Sequence, residues 1–182
     1  MPIVINGSGS VTGITTRLAA AAAPAGSVIQ TVSSVKTDTT TSSIQAGTNW
    51  TGHGLEVDIT PSSASNKILI TGQVSVNYNY DEFVHLTLYK NVSALTTATG
   101  DADGSTSRIT AACDVDFNWG TSPLPFHFLD TAGATSEQTY TFALSSGGDS
   151  AVTVYLNRGY HTTDASWNSR TISTITAMEI AV

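Results

Sequence analysis

The sequence has little charge and almost no cysteine. Charged residues make up 12% of the 182 residues, and Cys113 is the single cysteine. One cysteine excludes an intrachain disulfide, so we expect Cys113 to be a buried, inert thiol. Seven Lys and Arg stand against fourteen Asp and Glu. Because no basic patch is available to neutralise phosphates, nucleic acid and anionic membranes are poor partners.

Catalytic motifs and long apolar runs are also missing. No stretch approaches the roughly 20 apolar residues of a membrane-spanning helix, and the opening residues lack the apolar core of a secretory signal. The sequence contains no nucleophile elbow, no phosphate-binding loop and no carboxylate pair within an apolar stretch. A polysaccharide depolymerase would need such a pair. We therefore predict a protein that is not an enzyme and uses no cofactor.

Metal-binding patterns are incomplete. The four histidines are more than thirty residues apart, which does not fit a zinc site, and we expect surface or strand-edge positions for them: His53, His85, His127 and His161. The segment beginning Asp101-Ala-Asp103 resembles the start of a calcium loop. However, Thr106 and Ala112 replace the glycine and the glutamate that such a loop requires. We predict a solvated turn there and no metal site.

Hydroxyl residues dominate what is present. Ser and Thr number 51, whereas Leu, Ile, Val and Phe number 41. This composition predicts a hydroxyl-rich surface around a thin core, which places the chain just on the globular side of the boundary with disorder. The length suits one domain with an extension.

From residue 55 onward, apolar and polar residues alternate with the period of half-buried strands. The clearest case places Ile68, Ile70, Val74 and Val76 on one face. Residues 124–129 and 172–182 are apolar on both faces, which predicts strands that are covered on both sides or lie at a subunit contact. With Val28–Lys36 included, about nine strands are expected, at spacings typical of an antiparallel β-sandwich or jelly roll.

The first 26 residues differ from the rest. Glycines punctuate an apolar start, and an alanine run then leads to Pro24 and Gly26. We predict an extended N-terminal arm, residues 1–26, ahead of a β-sandwich domain, residues 27–182. An arm this small cannot bury its own apolar side chains. Another surface must cover them or they stay exposed, and the candidates for docking are Ile3, Val4, Ile5, Ile14 and Leu18.

Aromatic rings stand beside Asn and Asp in three loops. Tyr80, Trp119 and Trp167 are the exposed candidates, and this mixture of rings and polar groups can stack on a sugar and hydrogen-bond to it. The same rings could instead cap the ends of the sandwich or lie at a subunit contact. The sequence leaves both readings open.

Several stretches resemble virion structural proteins of tailed bacteriophages, particularly tail-fibre-like and capsid-decorating proteins of marine phages and cyanophages. The opening MPIVINGSGSVTGI is similar to the start of such proteins, as are PAGSVIQ (residues 24–30), ITPSSASNKILI (59–70) and FLDTAGATSEQTY (128–140). YLNR (155–158) followed by STITAMEI (173–180) is similar to their ending.

The resemblance implies a role rather than an active site, since none of these motifs is catalytic. It implies an N-terminal arm that attaches to capsid or tail proteins, and a β domain that projects outward, commonly as a homotrimer. It also implies a location in the virion, after assembly in the host cytoplasm. The chain has no stalk between arm and domain, which favours a short knob or a cement protein over a long fibre. A host-glycan receptor-binding module of the tail is the alternative.

Overall fold

The chain folds almost entirely into β-strands. The structure is a computed structural model that describes residues 4–5, 11–12, 23–79, 83–114, 120–161 and 163–182. Its strands are β1 Val4–Ile5, β2 Val11–Thr12, β3 Val28–Lys36, β4 Thr40–Ile44, β5 Asn49–Trp50, β6 Val57–Ile59, β7 Lys67–Tyr78, β8 Val84–Lys90, β9 Ser93–Ala94, β10 Ala111–Cys113, β11 Ser122–Thr131, β12 Gln138–Ser146, β13 Val152–Leu156 and β14 Ser173–Ile180.

Twelve of these strands form two antiparallel sheets that pack face to face. We call the sheet of β3, β4, β7, β11, β13 and β14 the long sheet, and the sheet of β5, β6, β8, β9, β10 and β12 the short sheet. The predicted antiparallel β-sandwich is therefore confirmed. β1 and β2 pair with each other within the predicted arm. Residues 1–3, 6–10 and 13–22 of the arm, which include Ile3, Ile14 and Leu18, lie outside the described residues, so the division at residue 26 stays a prediction.

The core lies between the sheets, where the alternating residues of both meet. On β7, Ile68, Ile70, Val74 and Val76 are fully buried, as the alternation predicts. The other alternating segments also point inward, with buried side chains at Val84, Leu86, Leu88, Tyr140, Phe142, Leu144, Val152, Val154 and Leu156. In the described ranges after residue 22, the helical structure is one 3-10 turn, Thr96–Ala98. Nowhere in the described chain is a helix long and apolar enough to cross a membrane.

The single chain covers residues 124–129 on one face, so the first of the two predicted alternatives is wrong and the other, a subunit contact, stays a prediction. Leu124 and Phe126 are buried, but Pro125 and His127 are exposed, and Leu129 is 51% exposed. β11 lies at the edge of the long sheet and pairs with β7 alone among the described strands. Proline is tolerated there because an edge strand has one row of N–H groups with no ladder partner.

β14 also has one covered face. Ile175 and Ala177 are fully buried, whereas Met178 and Ile180 on the opposite face are half-buried and Ile172 is 51% exposed. The single chain therefore covers only one side of this strand, and the predicted subunit contact remains open.

A buried carboxylate fixes the end of the long sheet at which the predicted arm ends. Glu179 is inaccessible to solvent and accepts hydrogen bonds from Gln30, Ser62 and Asn66, all at 2.7 Å. Burial raises the pKa of Glu179, but the hydrogen bonds from Asn66, Ser62 and Gln30 together outweigh burial and hold the pKa below its ordinary value. The carboxylate thus joins β3, β14 and the turn before β7 in its ionised form.

His53 contradicts the expectation that the histidines lie at the surface or at strand edges. Its side chain is 1% exposed, and its ring stacks on Phe142 with a centroid separation of 3.9 Å. The neutral ring donates from Nε2 to the Phe142 carbonyl at 2.7 Å and accepts the Leu55 N–H at Nδ1 over 3.2 Å. The Trp50 ring contacts the His53 ring edge to face, with a centroid separation of 5.8 Å. His53 is a core residue because both ring nitrogens are satisfied there.

Candidate functional site

A loop that leaves the middle of the long sheet carries the exposed side chains that are most suited to binding. β13 and β14 lie end to end along β7, since Leu156 pairs with Val76 and Thr174 with Gln73. Between these two strands the chain makes an excursion, residues 157–172, which we call the central loop. Its two ends are held together by an antiparallel bridge between Arg158 and Arg170.

A buried hydrogen-bond network fixes the base of the central loop. Asn157 is fully buried in a left-handed conformation, with φ of 60°, which Asn tolerates better than most residues. Its Nδ2 donates to the carbonyls of Lys36 and Asp38, both at 2.9 Å, and its Oδ1 accepts from the Ser173 hydroxyl at 2.7 Å. Ser173 Oγ in turn accepts the Ser75 N–H at 2.9 Å. The loop therefore starts from a rigid platform.

Two arginines lie side by side above this platform. The Arg158 guanidinium stacks over the Tyr155 ring, 4.3 Å from its centroid, and donates to Thr41 Oγ1 at 2.9 Å. Burial lowers the pKa of Arg158, and the positive charge of Arg170 lowers it further against the opposing effect of Tyr155. Arginine remains protonated even so. The salt bridges found in the described ranges are Lys36–Asp38 and Lys90–Asp130, so neither arginine has an acidic partner among these residues.

The arginines border a cavity of about 290 Å³ within the loop. Its polar lining includes Arg158, His161, Thr163, Asp164, Asn168 and Arg170. Asn168 donates from Nδ2 to both oxygens of Thr163, and its Oδ1 atom is buried and meets no donor among the described residues. The cavity is thus bordered by two cations and one carboxylate, that of Asp164.

Trp167 occupies the tip of the same loop. A turn closed by the Asn168 N–H to the Ala165 carbonyl, at 3.0 Å, carries its side chain, which is 65% exposed. Trp167 therefore matches the predicted exposed aromatic position. Tyr80 and Trp119 lie outside the described residues, so whether the three rings come together stays untested. Sequence reasoning missed the arginine pair, because Arg158 and Arg170 are twelve positions apart and only the bridge joins them.

The remaining titratable candidates are dispersed. His127 is exposed on the edge strand β11, and His85 is half-buried on the outer face of the short sheet, where burial lowers its pKa. Burial and the nearby Asp114 raise the pKa of Cys113 to about 11, so this half-buried thiol stays protonated at neutral pH. Asp101 and Asp103 are exposed. Within the described ranges, no group of three His, Cys, Asp or Glu side chains is close enough to hold a metal ion.

The outer face of the long sheet carries a second surface feature. Met178 pairs with Leu69, and Leu69 pairs with Leu129, so these side chains form one partly exposed row across three strands. Val28, on the neighbouring β3, is 55% exposed. The row lies towards the end of the sheet at which the Gly26 N–H donates to the Ala181 carbonyl.

Comparison with known proteins finds similar chains among solved structures. No family model matches the chain, and no curated protein matches it either. Among solved structures, a chain in the structure of infectious bursal disease virus, Gx strain, is similar at 15% identity with a TM-score of 0.34. The similarity covers 86% of this chain, which spans about 39% of the length of the viral chain. At this level of similarity the match identifies neither the fold nor the function.

Proposed function

We propose that the chain is a non-enzymatic structural protein of a bacteriophage virion surface. Residues 1–26 attach it to capsid or tail proteins, and residues 27–182 form a short knob or a capsid-decorating domain. The proposal extends to a homotrimer that is assembled in the host cytoplasm with the particle. Its sequence support is the resemblance of both arm and domain to virion proteins, together with the apolar arm.

The position of the arm junction carries this proposal. Gly26 N–H donates to the Ala181 carbonyl at 2.8 Å, and Ala181 N–H donates to the Ser27 carbonyl at 2.9 Å. The arm therefore joins the sandwich beside the C-terminal end of β14. The central loop runs into the other end of β14. The eight residues of β14 separate this point from the arm junction by about 26 Å. An arm at one end of the long sheet and an exposed loop farther along it suit a domain that is attached through the arm and keeps the loop away from the attachment.

The outer row of Leu69, Leu129 and Met178 supports the oligomer in the proposal. Partly exposed apolar side chains on a sheet face are stabilised when a second copy covers them. Contacts of this kind are weak singly, but many copies on one particle would hold them together. A monomer mass in sedimentation of the full chain would contradict this part of the proposal.

Removing the arm tests the attachment directly. A chain lacking residues 2–23 keeps every strand of the sandwich, so we expect it to fold and yet to be absent from purified particles. Particles should be analysed by immunoblot after infection with the deletion mutant, with melting of the purified variant as the folding check. A matched control replaces only Ile3, Val4, Ile5, Ile14 and Leu18 with serine, which keeps the length and should cause the same loss. Normal incorporation of the deletion variant would refute the proposal.

Host-glycan binding is the second candidate function, and the exposed Trp167 favours it. An exposed indole on a rigid turn is suited to stacking on a sugar ring. A glycan array on which the full chain binds nothing, with normal adsorption of Trp167→Ala particles, would remove this candidate while leaving the structural role intact.

A further inference from the structure

The arginine pair of the central loop is unusual for this chain. The protein carries only seven Lys and Arg and a net charge of −7, yet Arg158 and Arg170 are directly paired across a bridge. Like charges directly opposite each other on paired strands are destabilising. Asp164 borders the same cavity but forms no salt bridge with either arginine in the described chain. The pair is therefore a place where a bound anion would stabilise the loop.

We propose that this cavity binds a saccharide that carries one anionic group, a carboxylate or a sulfate, on a sugar residue. The inference rests on the second candidate function, glycan binding, and adds to it a ligand class and a site. The anionic group lies between Arg158 and Arg170, and a sugar hydroxyl faces Asp164.

The two arginines would hold the anion in different ways. Arg158 is preorganised, because Tyr155 stacks beneath it and its guanidinium donates to Thr41 and to the carbonyls of Gly159 and Tyr160. Arg170 is exposed, and no hydrogen bond of its guanidinium is found within the described chain, so its donors are available. Guanidinium groups match the planar carboxylate and the oxygens of sulfate with paired hydrogen bonds.

The acceptor groups of the cavity indicate a ligand with hydroxyl groups. The Asp164 carboxylate borders the cavity, is exposed and accepts hydrogen bonds only. A sugar hydroxyl can donate to it, whereas a simple inorganic anion would be repelled by it. The volume of about 290 Å³ lies at the lower end of the range for ligand pockets, which suits one sugar residue.

The overall charge distinguishes this ligand from a polyanion. A chain with a net charge of −7 repels nucleic acid and other densely charged polymers at long range. A single anionic group seated between two arginines experiences the local positive field instead. Trp167, at the tip of the turn next to Asn168, provides a ring on which an adjoining sugar residue can stack.

Titration of the full chain with defined oligosaccharides tests the site. Three ligands of equal length would be compared by calorimetry or NMR at low salt: one with glucuronic acid, one sulfated and one neutral. We expect at least one of the acidic ligands to bind, the neutral one to bind about tenfold more weakly or not at all, and the affinity to fall with added salt. Inorganic sulfate alone should bind far more weakly than the acidic saccharides.

Substitutions assign the binding to the arginine pair. Arg170→Gln should weaken binding of the acidic ligand about tenfold, and Arg170→Lys should retain part of it because the charge remains without the paired donors. Arg108→Gln changes another exposed arginine, in a different loop, and should have no effect. Since Arg170 is exposed and lies opposite a like charge, its variants should melt no lower than the wild type.

The outcomes separate this site from glycan binding in general. Equal affinity of Arg170→Gln and wild type for the acidic ligand would overturn the proposed site. Preferential binding of the neutral ligand that is lost in Trp167→Ala would also overturn it, while leaving glycan binding in place. Absence of binding by all three saccharides would overturn the site. None of these outcomes bears on arm-dependent incorporation, which is measured independently.

Discussion

Replacing Gly72 with alanine should destabilise the sandwich more than any other small substitution considered for its sheets. Gly72 lies on β7 directly opposite Phe126, between β11 and β14. An added Cβ would lie 2.6 Å from Phe126 Cζ and would also collide with the carbonyl oxygen of Thr174. The aromatic ring covers the glycine, and the neighbouring strand leaves no room for a methyl group. Since backbone must move, we expect a loss of about 3 kcal/mol.

Thermal unfolding of the purified variants checks this expectation. For a domain of this size, about 3 kcal/mol corresponds to a fall in the melting temperature of about 10 °C. Gly100→Ala is a matched control, because an added Cβ at Gly100 would have no neighbour within 4 Å and the residue does not have a positive φ. The control should melt close to the wild type. A melting temperature of Gly72→Ala within about 2 °C of the wild type would show that β7, β11 and β14 are packed differently there.

Acid should destabilise the protein through His53. Burial lowers the pKa of this imidazole from 6.5 to about 4, helped by the nearby Lys36 and opposed by the hydrogen bond to the Phe142 carbonyl. The folded state therefore takes up the proton later than the unfolded state as the pH falls. The contribution of neutral His53 is complete above about pH 6.5 and is lost between pH 6.5 and pH 4, at a cost of about 3 kcal/mol. Protonation would also set an N–H at Nδ1 against the Leu55 N–H.

A variant isolates this contribution from the titration of other groups. His53→Gln lowers stability at neutral pH because it loses the stack on Phe142, but it should lack the extra acid-dependent loss. Denaturant unfolding at pH 7, 6, 5 and 4 measures the slope of stability with pH for each protein. Gly100→Ala, which changes no titratable group and has open space around the added Cβ, should keep the wild-type slope. Parallel slopes for wild type and His53→Gln would contradict the proposed role of the buried ring.

The strand pattern was predictable where alternation is strong and failed where it is weak. β7, β8, β12 and β13 are recognised by apolar residues at every second position, since burial of one face requires them. β4 and β5 were not predicted, because Ser and Thr fill most of β4 and β5 has only two residues. The prediction for β11 failed for a different reason. Its prolines and Leu129 are apolar yet exposed, and only the sheet topology shows that this strand lies at an edge.

The site was less predictable than the fold. Trp167 could be named from its setting among Ser and Asn, which predicts an exposed loop. The pairing of Arg158 with Arg170 depends on where the chain leaves and re-enters the long sheet, and no local pattern encodes this. The burial of His53 depends on Phe142, which is 89 residues away and lies on β12. Contacts of this kind follow from the topology and not from spacing in the sequence.

Reconstruction of the virus particle at a resolution that shows sheets tests the central claim most directly. The account predicts the sandwich on the outer surface, with the end that carries Ala23 and Val182 towards the particle. The central loop should then be the length of β14, about 26 Å, farther along the domain, with Trp167 accessible to solvent. A particle that shows no density for the sandwich would contradict the account. A sandwich attached through the central loop, with the arm pointing into solvent, would contradict it equally.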